Sequence, residues 1–347
     1  MQCNTHGASD PNSSRPCKRL AIIGAGPIGI ELALSAVMRG LAVSVFESGE
    51  TVGAQVLSWR HVTMFSPWSM NMSDAGRRVL EQNGLQLPDG DRFPTGAEFV
   101  SCYLRPIAEH IRKHPFCDSW NLNARVVSVG RGALLKGESI GGGDLHMPVG
   151  KPHVMQPRAA TPFRLLVSHG GSEALEKYHE GFDYVCDCSG CYRLPCVMRV
   201  VWLQLCRNAD APLGRGDLGN WCGPGGMPAL NERRLRSAGR IWSVLPDVLG
   251  EHREKFAGRR TLVVGSGMSA ATALASLSQL AAAAPGTSVV YVTRSSSRPF
   301  AAVENDVLPQ RSALVSLGNS AASGEIPCMK PRPAYPISLR APLFGTR

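Results

Sequence analysis

Short runs of consecutive apolar residues alternate along this chain with segments whose apolar positions recur every three or four residues. That alternation marks buried strands separated by helices. Arg19–Ile23 and Ala42–Phe46 are the first two such runs, and Ile30–Met38 between them is small and aliphatic enough to pack as a helix. Further strands are predicted over Ala124–Val129, Phe163–Ser168, Tyr184–Cys188, Thr261–Val264 and Ser288–Val292. Helices are predicted over Asp74–Gln82, from Thr95 to about Arg112, and over Ala271–Ala282. Ser73 precedes the first of these as an N-cap and Gly84 follows its end. Thr95-Gly-Ala-Glu98 spells a capping box, and Pro106 predicts a kink in the helix it opens. Strands and helices in alternation predict an α/β fold built on a parallel sheet.

The joints between these elements carry the chemistry. Gly24, Gly26 and Gly29 follow the first strand in the spacing GxGxxG, with Pro27 and Ile28 inside the turn, and Glu47 ends the second strand. This is a dinucleotide-binding fingerprint in its full strand–helix–strand context. Gly24 allows the tight turn, Gly26 lets the backbone approach a pyrophosphate, and Gly29 lets the helix lie close to the strand. The pyrophosphate sits on the helix N-terminus, where unpaired N–H groups and the dipole favour anions. Glu47 is placed to accept hydrogen bonds from both ribose hydroxyls. The pattern returns over 261–294, with Gly265, Gly267 and Ala270 at the fingerprint positions and Arg294 near the end of the following strand. A cation there suits a 2′-phosphate, which points to NADPH at the second site rather than NADH.

Composition changes this picture little. The chain has 347 residues, 44% of them apolar, enough for two domains with a sizeable core. The net charge of +10 is scattered, without the aromatic-interleaved patch of a nucleic-acid surface, so no nucleic-acid partner is expected. No apolar run spans a bilayer, and residues 1–17 lack the apolar centre of a secretory signal and read as a disordered polar tail. The eleven cysteines have no framework spacing and read as reduced thiols of a cytoplasmic protein. Cys188 and Cys191 form a C-x-x-C. As a metal site it lacks a second ligand pair, so no metal is expected; as a redox dithiol it ends a strand instead of opening a helix. The loop after Glu47 is rich in Trp, Met and His; Trp59, His61 and Trp68 are candidates for the surroundings of a flavin ring. Gly130 to Thr161 is Gly- and Pro-rich and reads as a long loop.

Two fingerprints, one followed by an acid and the other by a base, resemble the flavoproteins with two dinucleotide-binding domains. The blocks RLAIIGAGPIGIELAL, WRHVTMFSPWSMN, FPTGAEFVSCYLRPIA, FDYVCDCSGCYRLP, GPGGMPALNER and LPDVLGEHREKFAGRRTLVVGSGMSAATAL are similar to a family of FAD-dependent, NAD(P)-binding oxidoreductases close to the flavin-containing monooxygenases. Some of its members are called flavoproteins involved in K+ transport. The resemblance implies two Rossmann-like domains in three layers, the second inserted in the first. FAD would bind at Gly24, Gly26, Pro27, Ile28, Gly29 and Glu47, with Asp187, Ser189 and Gly190 as the second FAD-domain motif and the backbone of Val126 against the adenine. Gly265, Gly267, Ser269 and Arg294 would bind NADPH. A hydride would pass from NADPH to flavin and electrons on to O2 or a small-molecule substrate; a thioredoxin-reductase-like disulfide reductase and a nucleotide-binding remnant are the alternatives. No catalytic acid, base or nucleophile is assigned, and neither the substrate nor the oligomeric state is legible.

The expected boundaries are a tail over 1–17, an FAD domain over 18–245, an incomplete NADPH domain over 246–318, and a disordered tail over 319–347. Within the FAD domain, residues 196–219 interrupt two blocks that otherwise join, and they read as an insertion outside the core. After about Gly318 the resemblance fades, and the C-terminal part of an FAD domain is not found.

Overall fold

A computed structural model describes residues 17–131, 161–170, 175–190, 201–205, 241–242, 244–293 and 300–333. The chain divides into two compact units, 1–57 with 68–190, and 58–67 with 191–347. The division therefore falls at Gly190 instead of near 245, and a ten-residue piece of the early loop belongs to the second unit.

In the first unit, β1 (Arg19–Ile23) leads through α1 (Pro27–Met38) to β2 (Ala42–Phe46). Five helical segments follow: α2 (Ala54–Leu57), α3 (Trp68–Asn71), α4 (Asp74–Gln82), α5 (Gly96–Phe99) and α6 (Arg105–Lys113). β3 (Cys117–Asn121), β4 (Ala124–Arg131), β5 (Phe163–His169), β6 (Leu175–Phe182) and β7 (Tyr184–Asp187) complete the unit. Strands β3-β2-β1-β7, in that order, make a wholly parallel sheet, and β4-β5-β6 make an antiparallel one. Ala21 and Phe46 of the parallel sheet pack against Ala124, Leu165, Val167 and Phe182 of the antiparallel sheet. The buried face of α1, with Ile30, Ala33, Leu34 and Val37, packs beside α4 and α6. This unit is thus three layers thick, helix on sheet on sheet. Each fully buried Ile or Leu contributes about 1.5–3 kcal/mol.

The capping residues act as the sequence predicts. Ser73 accepts the Gly76 N–H at 2.9 Å, and Thr95 and Glu98 form the reciprocal pair of a capping box. At Pro106 the outcome is a local widening: α5 runs into α6 through a π-turn, Val100–Leu104, in which the Arg105 N–H reaches back to the Val100 carbonyl. Proline has no N–H and crowds the carbonyl four residues earlier, and a wider turn relieves both problems. Tyr103 comes out of that turn buried. Its hydroxyl donates to Glu31 of α1 and accepts the Ser73 N–H at 2.9 Å, which ties α1, α4 and the π-turn together. Burial and the Glu31 carboxylate push the Tyr103 phenol up to about 12.

The second unit contains β8 (Val201–Leu205), β9 (Ile241–Trp242), α7 (Arg253–Phe256), β10 (Arg260–Val264), α8 (Met268–Ala283), β11 (Ser288–Thr293), α9 (Pro309–Ser323) and β12 (Met329–Pro333). Its sheet has the order β12-β11-β10-β8-β9, with β10, β11 and β12 parallel and β8 antiparallel to β10. The run β10–α8–β11–α9–β12 is a whole βαβαβ half, laid out like β1, β2 and β3 of the first unit. Phe256, Leu274, Leu277, Tyr291 and Phe300 are at its core. Tyr291 stacks on Phe300 with centroids 6.1 Å apart, and burial pushes its phenol up to about 12.

Two expectations are corrected here. Residues 319–333 are not a disordered tail: α9 extends to Ser323, and Met329–Pro333 pairs in parallel with β11. The Cys328 carbonyl accepts the Val289 N–H at 2.9 Å. Alternation then turns the backbone of 330 and 332 toward β11, and Pro331 and Pro333 toward the open edge, where a missing N–H costs nothing. Likewise the expected insertion is partly inside the sheet, because 201–205 pairs residue for residue with β10. Residues 206–219 lie outside the described residues, as do 132–160 of the predicted long loop and 334–347.

Candidate nucleotide-binding sites

In the first unit, every fingerprint residue gathers at the C-terminal edge of the parallel sheet. Gly24 has φ +101°, in the region glycine favours, and its N–H bonds the Phe46 carbonyl at 2.7 Å. A Cβ on Gly29 would lie 1.9 Å from the Gly24 carbonyl oxygen, so the helix can approach the strand only because that atom is absent. Gly26 is different. It is the N-cap of α1, without a side-chain cap, and a Cβ there would meet nothing within 4 Å. The space in front of the helix N-terminus is open, Pro27 contributes no donor, and no acid occupies the first turn. Ile28, 71% exposed, stands at the rim.

Glu47, buried at the end of β2, aims its carboxylate at this loop. One oxygen accepts the Ala25 N–H at 2.7 Å and the other the Gly49 N–H at 2.7 Å. The Ser48 hydroxyl also donates to the second oxygen, at 3.3 Å, so of a carboxylate's about four lone-pair positions one is left for a ribose hydroxyl. Glu47 thus fastens the turn as well as facing it, a role the spacing alone does not reveal. Glu47→Ala should cost about 2–3 kcal/mol of stability from the two stranded amides, besides any loss of ligand affinity. Thermal denaturation of the ligand-free chain measures that term separately; an unchanged midpoint would contradict it.

The parallel pairing of Ile23 with Asp187 brings the second expected motif to the same edge. Asp187 accepts both the N–H and the hydroxyl of Ser189, at 2.9 and 2.6 Å, which lowers its carboxyl below the usual range. Gly190 follows with φ +72°. The Cys188 carbonyl lies where a Cβ on Gly24 would go. Burial, then Cys186 and Asp187, push the Cys188 thiol up, opposite to the direction that attack on a disulfide requires. Cys191 lies outside the described residues. β4 leaves directly from Glu47, since the Ala124 N–H bonds the Glu47 carbonyl and the Asn123 N–H that of Gly49. β4 is an edge strand, and Val126 on it pairs with Val167 on one side.

The second unit repeats the cradle. Gly265 has φ +122° and its N–H bonds the Val292 carbonyl at 3.0 Å. Gly267 caps α8 with φ −87° and ψ 169°, close to the −79° and −174° of Gly26, and a Cβ there also meets open space. Ser269 occupies the exposed first-turn position that Ile28 holds in α1, and buried Ala270 replaces the third glycine. Arg294 lies outside the described residues. Of the aromatic loop, Trp68 is wholly buried in the first unit, its ring 6.1 Å from Phe99, and so presents no face to a ligand. Trp59 and His61 belong to the second unit. Burial lowers the His61 imidazole, against the pull of Asp247.

No protein-family model matches the chain, and no curated protein matches it in sequence. Among solved structures it is similar to bacillithiol disulfide reductase from Staphylococcus aureus, with 14% identity, a TM-score of 0.46, and 92% of this chain and 67% of that one covered. It is similar to an epsilon-caprolactone-bound cyclohexanone monooxygenase at 14% identity and TM-score 0.42, covering 86% of this chain and 44% of that one. A third is S-allyl-L-cysteine S-oxygenase from Allium sativum, at 15% identity and TM-score 0.40, covering 80% and 52%. The chain spans about two thirds of the reductase's length and about half or less of the two oxygenases'. Likenesses this distant say nothing about what the chain binds.

Proposed function

We propose that the chain is a flavin-dependent, NADPH-using oxidoreductase, with FAD at the Gly24–Glu47 cradle and NADPH at the Gly265–Ser269 cradle. The observation that carries this is the open space before Gly26 and Gly267. Two helix N-termini have their amides unclaimed by any capping side chain, and each stands at a glycine whose missing Cβ leaves room for a pyrophosphate. Glu47 holds the first loop in place and would offer its remaining lone-pair position to a ribose hydroxyl. The N-terminal amides of α1 and α8 would hold the pyrophosphates and offset part of their negative charge. Edge strand β4 supports the adenine end through backbone atoms near Val126. When bound, the flavin would take a hydride from NADPH and pass electrons to O2 or a substrate.

Gly26→Ala tests the first site. The methyl group meets no protein atom, so the melting temperature should hold within about 1–2 °C, as for an unstrained surface change. FAD retention, read from the absorbance of the purified protein, should fall at least tenfold. Unchanged retention would refute the assignment.

Arg294→Ala tests the choice of coenzyme. A guanidinium on a 2′-phosphate forms a charge-assisted, bidentate pair. The variant should lose NADPH affinity by about 1.5–3 kcal/mol and leave NADH nearly unchanged. Equal losses, or a wild type that prefers NADH, would count against NADPH. Converting Cys188 and Cys191 to serine isolates the disulfide-reductase reading, which gains if NADPH-dependent thiol formation is present and disappears with the pair.

A further inference from the structure

A pair of histidines in the first unit is left over by the nucleotide site. His169 closes β5 and His179 lies in β6, in register with Leu165. Residues 165, 167 and 169 alternate onto one face of the strand, and Leu165 and Val167 there belong to the core shared with the parallel sheet. His179 packs edge-on to Phe46, with ring centroids 5.0 Å apart and planes at 78°. The two imidazoles turn toward each other, with centroids 5.5 Å apart and Nε2 facing Nε2 at 3.3 Å.

That separation has a chemical meaning. Two imidazole nitrogens on one tetrahedral zinc ion, each 2.0–2.1 Å from the metal, stand about 3.3–3.4 Å apart. The two Nε2 atoms already stand at the spacing that ligation demands, and Phe46 packs against the His179 ring. Among the described residues no group of three or more His, Cys, Asp or Glu could share an ion, so water would fill the other positions.

We propose that His169 and His179 form an open two-histidine site for a late first-row divalent cation of the zinc, copper and nickel class. The metal takes both Nε2 lone pairs, and the proton held between the rings moves to Nδ1 of the ring that carried it. No bond within the protein breaks and no electron moves. Imidazole is a good ligand for these ions and a poor one for magnesium or calcium. The site would clamp the β5–β6 hairpin against Phe46, the residue before Glu47.

The test is a zinc titration of the full chain under reducing conditions, followed by long-range 1H–15N spectra of the histidine rings. Nε2 of His169 and of His179 should shift together and saturate at one equivalent, and magnesium should move neither. His169→Gln and His179→Gln should each weaken zinc binding at this site at least tenfold, because one ring alone is a much poorer ligand. Zinc should also raise the melting temperature of the wild type and not that of either variant. The wild-type spectra decide the matter even if a variant fails to fold. A response from one ring only, zinc taken up by cysteines with both rings unchanged, or variants that bind as the wild type does would each overturn the proposal.

Discussion

Gly29→Ala lowers the melting temperature of the ligand-free chain by roughly 6–12 °C and abolishes nucleotide retention. The added methyl would sit 1.9 Å from the Gly24 carbonyl oxygen, a backbone atom at the centre of a turn. No rotamer change can clear it. Either α1 moves away from β1 or the turn opens, and both disturb the buried contacts of Ile30, Ala33 and Leu34. Overpacking of this kind costs about 3 kcal/mol, and each kcal/mol lowers the midpoint by about 2–4 °C in a domain of this size. The contrast with Gly26→Ala is the informative part. Two glycines three residues apart in one motif should separate, one being needed for the fold and the other only for the ligand. Differential scanning calorimetry and cofactor absorbance on both variants would measure this, and equal melting temperatures would break the argument.

The second large effect concerns the segment that looks dispensable in the sequence. Deleting residues 201–205 should lower the melting of the second unit by roughly 6–28 °C or drive the chain to aggregate. β8 covers the whole length of β10, from Arg260 to Val264. A five-residue ladder at about 0.5–1.5 kcal/mol per bond is about 3–7 kcal/mol, which sets that range. Its loss would also expose a central strand as an edge, which templates association with other chains. Removing six residues from 208–219, whose Gly, Asp and Pro content reads as a loop in the sequence, should instead change stability by well under the ~0.6 kcal/mol of halving a whole loop. If the two deletions behave alike, β8 does not stabilise the sheet.

Several of the elements legible in the sequence are strands buried in a sheet's interior, or helices packed on one. Arg19–Ile23, Ala42–Phe46, Thr261–Val264 and the helices after them are continuous apolar runs, because a parallel strand has no wet face. Ser73, Thr95 and Glu98 were legible because a cap needs particular atoms at particular spacings. Much of what escaped was polar or at an edge, although β8, apolar and inside its sheet, escaped too. Leu175–Phe182 reads LEKYHEGF and, among the described residues, pairs on one side only, and Cys117–Asn121 is mostly polar. Met329–Pro333 was obscured by two prolines that are harmless only because of the way they face. At the site, the motif residues were legible, but the hydrogen bonds of Glu47 to Ala25 and Gly49 were not. They depend on how the loop after β2 turns back, and that is a tertiary fact.

Each unit also contains its own optical reporter. The phenols of Tyr103 and Tyr291 are both pushed up to about 12, while Tyr178 and Tyr184 are about half exposed. During alkaline titration, phenolate absorbance from Tyr103 and Tyr291 should develop later than that of an ordinary phenol. A phenol whose folded pKa exceeds its unfolded value of about 10 contributes stability that is intact below pH 10 and is lost between pH 10 and 12. Rising alkali therefore strains both units from within. Tyr103→Phe would remove the late absorbance belonging to the first unit, and Tyr291→Phe that belonging to the second. A spectrophotometer and two variants would then show which unit gives way first.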